Sequence, residues 1–189
     1  MTQGSAVSAK TGGGWITSVP PEHATGPLAE AYRSQFEQIG RVTELTQIGS
    51  LYPDLVAARL RLYAVVDATP SDVPDHVRRA VALLTSVLNG CLFCTAGHTE
   101  KLTAAGHGEL AQAIKADPDS VLTGEARADA AISYARKLVT DPRHIVQEDV
   151  AALRDAGWSD LDILDINNIS AYYCYINRVA AGLGLHGEA

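Results

Sequence analysis

Nearly every apolar residue after position 27 recurs at a spacing of three or four, and alternation of the kind a half-buried strand needs is scarce. That period lets a chain bury its apolar side chains only by forming helices and packing their stripes together. Leu28, Tyr32, Phe36 and Ile39 mark a first helix, with Pro27 in its opening turn. Pro53 opens a second, carrying Leu55, Arg59, Leu60, Tyr63 and Val66. Ser71 and Pro74 introduce a third, whose stripe is Val77, Ala80, Val81, Leu84 and Leu88, and Asn89-Gly90 punctuates it. A fourth starts around Cys91 and finishes near Gly106, and a short one covers Leu110 to Lys115. Thr123 can cap a helix over Glu125 to Val139, which Asp141-Pro142 stops. Glu148 to Ala156 forms the next, ended by Gly157, where Trp158 anchors the corner. Ser159 to Asp162 reads as a capping box for the long final helix through Ala180. The expected fold class is all-α.

The 189 residues suit one domain, expected over residues 15–189 behind a loose arm, residues 1–14, that ends in Gly12-Gly13-Gly14. Leu102, Ala105, Gly106 and Leu110 recur fifty-one positions later as Leu153, Ala156, Gly157 and Leu161. The echo fits duplicated helical pairs, or two helix ends obeying one stop rule. Fifteen basic residues against twenty-two acidic ones give a net charge of −7, with no basic cluster, which argues against a nucleic-acid partner. No apolar run has the length of a bilayer span and no signal-like segment opens the chain, so the expectation is a cytoplasmic protein without a membrane partner. In a reducing compartment a close cysteine pair is more often catalytic, redox-active or metal-binding than a permanent staple.

Such a pair stands in Asn89-Gly90-Cys91-Leu92-Phe93-Cys94-Thr95-Ala96-Gly97-His98. At about 100° per residue, Cys91, Cys94 and His98 fall within roughly a 60° arc of one helix surface. Cys91 would lie in the first turn, where free N–H groups and the helix dipole favour a thiolate by about 0.3–1 kcal/mol. His98, one turn beyond Cys94, can take that thiol's proton. Three readings stand at this point. A structural zinc needs a fourth ligand, and the nearest histidine, His107, lies past the helix end. An inert buried pair leaves His98 unexplained. A redox centre accounts for all three residues. The third cysteine, Cys174, sits in the run Tyr172-Tyr173-Cys174-Tyr175 and reads, like those tyrosines, as packing.

The stretch "RRAVALLTSVLNGCLFCTAGH" resembles the core of AhpD-like alkylhydroperoxidases within the carboxymuconolactone decarboxylase superfamily, whose signature is Glu, eleven residues, then C-x-x-C-x-x-x-H. "VAALRDAGWSDLDILDINNISAYYCYINRVAAGLG" and the lead-in "WITSVPPEHATGPLAEAY" resemble its peroxidase-related branch. The resemblance implies an all-helical fold, a homo-oligomer, and reduction of hydroperoxides without a cofactor or metal, at the expense of an external dithiol. It makes Cys94 the peroxidatic thiol, Cys91 the resolving thiol and His98 part of the proton relay. The helix dipole would instead make Cys91 the more acidic thiol; the specific partner His98 decides for Cys94. The relay glutamate is expected twelve positions before Cys91, where this chain has Arg79. If the third and fourth helices fold back at Asn89-Gly90, His98 faces the region of Ala82, and position 79 lies about one turn away. Arg79 cannot accept a hydrogen bond from the imidazole, and it would disfavour its protonated form. Asp75 or Glu100 could serve as the orienting acid instead. Two rivals follow: a non-redox enzyme acting on a small carboxylate, as the superfamily's lactone decarboxylases do, and a redox sensor that forms the disulfide without turnover.

Overall fold

The structure, a computed structural model, describes residues 13–68 and 70–186; most of the expected N-terminal arm lies outside them. Nine α-helices and no strand occur among the described residues. They are α1 (Gly26–Ile39), α2 (Glu44–Gln47), α3 (Pro53–Asp67), α4 (Asp75–Leu88), α5 (Leu92–Ala104), α6 (Gly108–Ala116), α7 (Ala126–Thr140), α8 (Gln147–Asp155) and α9 (Asp160–Gly182). None is long and apolar enough to cross a membrane. The all-α expectation holds, and most boundaries fall within two residues of those read from the sequence.

Contacts divide the chain into two compact units, residues 1–62 with 182–185, and residues 63–181 with 186–189. In the first, the Trp15 N–H donates to the Leu183 carbonyl at 2.8 Å. A Cβ on Gly184, where φ is +83°, would stand 2.5 Å from the Trp15 ring, so only glycine fits. The Tyr32 hydroxyl donates to the Val19 carbonyl at 2.8 Å, and buried Arg59 donates to the Leu45 carbonyl at 2.7 Å.

The second unit is organised around α4, whose residues Val77 and Ala80 to Ser86 are all buried. One side of its core joins Val81, Leu84, Leu102, Ile114, Ile132 and Ile169. The other joins Val77, Ala131, Leu153, Trp158 and Ile166. Arg78 forms an ion pair with buried Asp165, which fastens α4 to α9 beside the apolar contacts. Trp158 does anchor its corner, donating its indole N–H to the Arg127 carbonyl at 2.8 Å.

Leu102 and Leu153, the matched leucines of the internal echo, occupy the same position in two identical helix ends. The N–H groups of Gly106 and His107 return to Thr103 and Leu102, as those of Gly157 and Trp158 return to Arg154 and Leu153. Both glycines have positive φ, so one termination rule accounts for the echo. The expected cap at Thr123 is displaced: Glu125 occupies the N-cap of α7, and Asp129 reaches back to the Thr123 and Gly124 N–H groups.

The Ser159 to Asp162 box is present. Asp162 accepts from the Ser159 N–H and hydroxyl and from the Asp72 N–H, while the Asp162 N–H donates back to the Ser159 hydroxyl. Burial pushes the carboxyl up, but these hydrogen bonds and Arg127 outweigh it and hold its pKa below the ordinary value. Stability drawn from a depressed carboxyl is present above the unfolded pKa and is lost as pH falls through the folded one. Asp162→Ala is expected to cost roughly 2–4 kcal/mol, read from the denaturation midpoint. Asp162→Asn should flatten the acid limb of the stability curve.

Candidate functional site at the α4–α5 corner

The site is made by the way α4 ends. Gly90, with φ +69°, closes α4 through its N–H to the Val87 carbonyl, and the Cys91 N–H returns to the Ser86 carbonyl, both at 3.0 Å. A left-handed residue is obligatory here, and glycine takes it without strain. Cys91 thereby finishes one helix and starts the next. It is the N-cap of α5 rather than a residue of its first turn, and its Sγ accepts the Cys94 N–H at 3.3 Å. Asn89, the residue before Gly90, is held from α9. It donates to Cys174 Sγ at 3.4 Å and accepts from Arg178 at 3.1 Å. Arg178 and the third cysteine therefore sit beside this corner. Cys174 is half-buried and outside any disulfide.

Cys91 and Cys94 form a disulfide, with Cα atoms 5.3 Å apart. Both are buried, at 2% and 6% exposure, and so is His98, at 8%. Of the residues between them, Leu92, Ala96 and Gly97 face outward, while Phe93 and Thr95 are half-buried. The three residues expected on one helical surface thus share the inner side of α5.

His98 also lines a cavity of about 30 Å³, together with Arg79, Lys101, Asp67, Ala82 and Tyr173. Positions 79 and 82 lie opposite His98, as folding back at Asn89-Gly90 requires. Arg79 does not turn outward into solvent alone: its Nε donates to Asp75 Oδ2 at 2.5 Å, one turn back along α4. Asp75, a candidate orienting acid in the sequence, is bonded to Arg79, and Glu100 is exposed on α5. Burial, then Lys101, then Arg79 push the His98 pKa down to about 3. The imidazole is accordingly neutral at neutral pH, and the guanidinium at the glutamate position acts in the direction expected of it.

Sequence reasoning passed over Tyr173 as packing. Its ring meets the His98 ring edge-on, with centroids 4.3 Å apart, and it forms part of the cavity wall. Among the described residues neither His98 nor Tyr173 has a side-chain hydrogen-bond partner, and the imidazole packs against this ring. No signal along the sequence pairs positions 98 and 173; the juxtaposition comes from packing α9 against α4 and α5.

Residues 53–137, which contain the corner, both cysteines, His98 and Arg79, match the model of the carboxymuconolactone decarboxylase family. The chain is also similar to solved structures over most of its length. One is an alkylhydroperoxidase AhpD core, a peroxidase-related protein from Ralstonia eutropha JMP134: TM-score 0.82, 19% identity, covering 95% of this chain and 94% of that one. Another is a peroxidase-related protein from Silicibacter sp. TM1040: TM-score 0.75, 22% identity, 87% and 88% coverage. A third is the debrominase Bmp8, solved with 2,3,4-tribromopyrrole: TM-score 0.74, 22% identity, 92% and 90% coverage. No curated protein matches. The fold is that of the AhpD core and the peroxidase-related structures.

Within this site the charge at position 79 acts on the buried histidine after burial and Lys101. In the disulfide form, the His98 ring should show no titration between pH 5 and 8 by NMR. Arg79→Gln should raise its pKa and Arg79→Glu should raise it further, because each removes a cation and the second adds an anion.

Proposed function

We propose that this protein is a thiol peroxidase that reduces hydroperoxides through a Cys91/Cys94 dithiol–disulfide cycle and needs neither metal nor cofactor. The observation that carries the reading is the Cys91–Cys94 disulfide at the start of α5, with His98 buried one turn beyond Cys94. A dithiol pair at this spacing can give up two electrons by closing the disulfide and recover them when an external dithiol reopens it.

In the reduced protein the Cys94 thiol passes its proton to His98. The thiolate attacks the terminal oxygen of the hydroperoxide: an S–O bond forms, the O–O bond breaks, and the alcohol leaves with a proton. Cys91 then attacks the Cys94 sulfenic acid, forming the disulfide and releasing water. An external dithiol reopens it by two exchanges. The electropositive surroundings of His98 favour this cycle in one specific way. Arg79 and Lys101 disfavour an imidazolium standing alone but favour a thiolate, so His98 holds a proton best while Cys94 carries negative charge.

The N-cap hydrogen bond to Cys91 Sγ complements this assignment. It stabilises a Cys91 thiolate, which serves both the resolving attack and departure when the reductant attacks Cys94. The cysteine pair also supports redox chemistry over the lactone decarboxylase alternative, for which no thiol is required. Self-association belongs to the same reading, supported by Leu55, Leu62 and Val65, all exposed along one side of α3.

The deciding assay follows hydroperoxide loss with a dithiol donor. Cys94→Ser should abolish turnover, and His98→Ala should lower it about 100-fold. Arg79→Glu, which restores the glutamate of the family signature, should raise it. Turnover that survives Cys94→Ser would defeat the assignment. A disulfide that forms with peroxide but supports no turnover would identify a sensor.

A further inference from the structure

Opening an O–O bond leaves an alkoxide, a base strong enough that its departure must be accompanied by a proton. In the family signature a glutamate stands beside the histidine; here that position holds a guanidinium engaged with Asp75. The groups around the cavity can be considered in turn. Arg78 is paired with Asp165. Asp75 is occupied by Arg79. Lys101 donates to the Tyr63 hydroxyl at 3.2 Å, with its ammonium over that ring. His98 in its neutral state is the acceptor that the thiol needs.

Tyr173 differs from all of these. Its ring packs edge-on to His98, it lines the same cavity, and its hydroxyl has no hydrogen-bond partner among the described residues. Burial first, then Tyr63, Tyr172 and Asp67, push its pKa well above the ordinary phenol value, so it remains a protonated donor throughout the neutral range. A cavity of about 30 Å³ has room for little more than a water molecule or the peroxide group itself; Tyr173 and His98 line it, and Cys94 lies one turn before His98 on α5.

We propose that Tyr173 is a catalytic acid in this protein, its hydroxyl protonating the alkoxide that leaves as Cys94 opens the O–O bond. The proposal rests on the peroxidase reading. The thiol proton moves to His98 as the thiolate forms. Cys94 then gains the terminal oxygen, the alkoxide takes the Tyr173 proton to become the alcohol, and the tyrosinate recovers a proton from the imidazolium that its own ring touches. Thiol and hydroperoxide become sulfenic acid and alcohol, and both side chains return to their starting state.

The test uses leaving groups. Tyr173→Phe keeps the ring and its contact with His98 and removes only the hydroxyl. Single-turnover oxidation of the reduced protein is followed with cumene hydroperoxide, which expels an alkoxide, and with peroxybenzoic acid, which expels a carboxylate that needs no proton. Tyr173→Phe is expected to slow the first reaction about 100-fold and the second less than threefold. Equal slowing of both reactions would overturn the proposal and leave Tyr173 a packing residue; no slowing of either would overturn it as well. Wild-type protein that reacts with neither oxidant would overturn the peroxidase reading itself, a result distinct from both.

Discussion

The hydrogen bond from the Cys91 N–H to the Ser86 carbonyl, closed around the left-handed Gly90, is the constraint on which the rest of this site depends. It ends α4 and starts α5 within three residues, so the two helices pack side by side. Three consequences follow. Cys91 becomes an N-cap whose sulfur meets the Cys94 N–H. The inner side of α5 carries Cys94 and His98 into the core. Arg79 and Ala82, a turn and more before the end of α4, come to line the cavity that His98 also lines. A longer connection would supply none of these relations, because each depends on the phase of one helix relative to the other.

The electrostatics around His98 differ from those of an ordinary catalytic histidine. A catalytic histidine is commonly oriented by a carboxylate or carbonyl on its second nitrogen, which fixes the tautomer and raises basicity. His98 has instead an aromatic ring at its edge and two cations nearby, and its pKa falls to about 3. Such an imidazole is a poor free base, yet it can share a proton with an adjacent thiolate that the same cations stabilise. On the proposed reading, an arginine at position 79 couples the protonation of His98 to the charge on Cys94. The surface pairing of Arg79 with Asp75, whose side chain is 63% exposed, is worth only about 0.3–0.5 kcal/mol by the usual measure of such pairs. Arg79 can therefore reorient at small cost.

Helix class and helix ends were legible because their causes are local. Gly106 and Gly157 stop helices by a rule that involves only the preceding five residues, and the Ser159 to Asp162 box starts one by an equally short rule. The four-residue α2 was missed because a single turn shows no period, although its cap, Thr43 accepting the Thr46 N–H, is also local. At the site, the spacing of Cys91, Cys94 and His98 placed them on one surface, and the corner argument placed Arg79 opposite. Two relations were not legible: the clamp of Arg178 and Cys174 on Asn89, and the contact of Tyr173 with His98. Both bring α9 to a corner more than seventy residues earlier, and only tertiary packing determines which of its tyrosines reaches the imidazole. The run from Tyr172 to Tyr175 shows the difficulty: Tyr172 is core, Tyr173 lines the cavity and Tyr175 is largely exposed, with nothing in composition to separate them.

The central claim is that Cys94, served by His98, is the sulfur that meets the oxidant. The most direct measurement is mass-spectrometric mapping of a dimedone adduct after one equivalent of hydroperoxide, in the Cys91→Ser and Cys94→Ser variants separately. The account predicts a sulfenic acid trapped on Cys94 in the first variant and none on Cys91 in the second. An adduct on Cys91 with Cys94 absent, and no adduct on Cys94 with Cys91 absent, would contradict it.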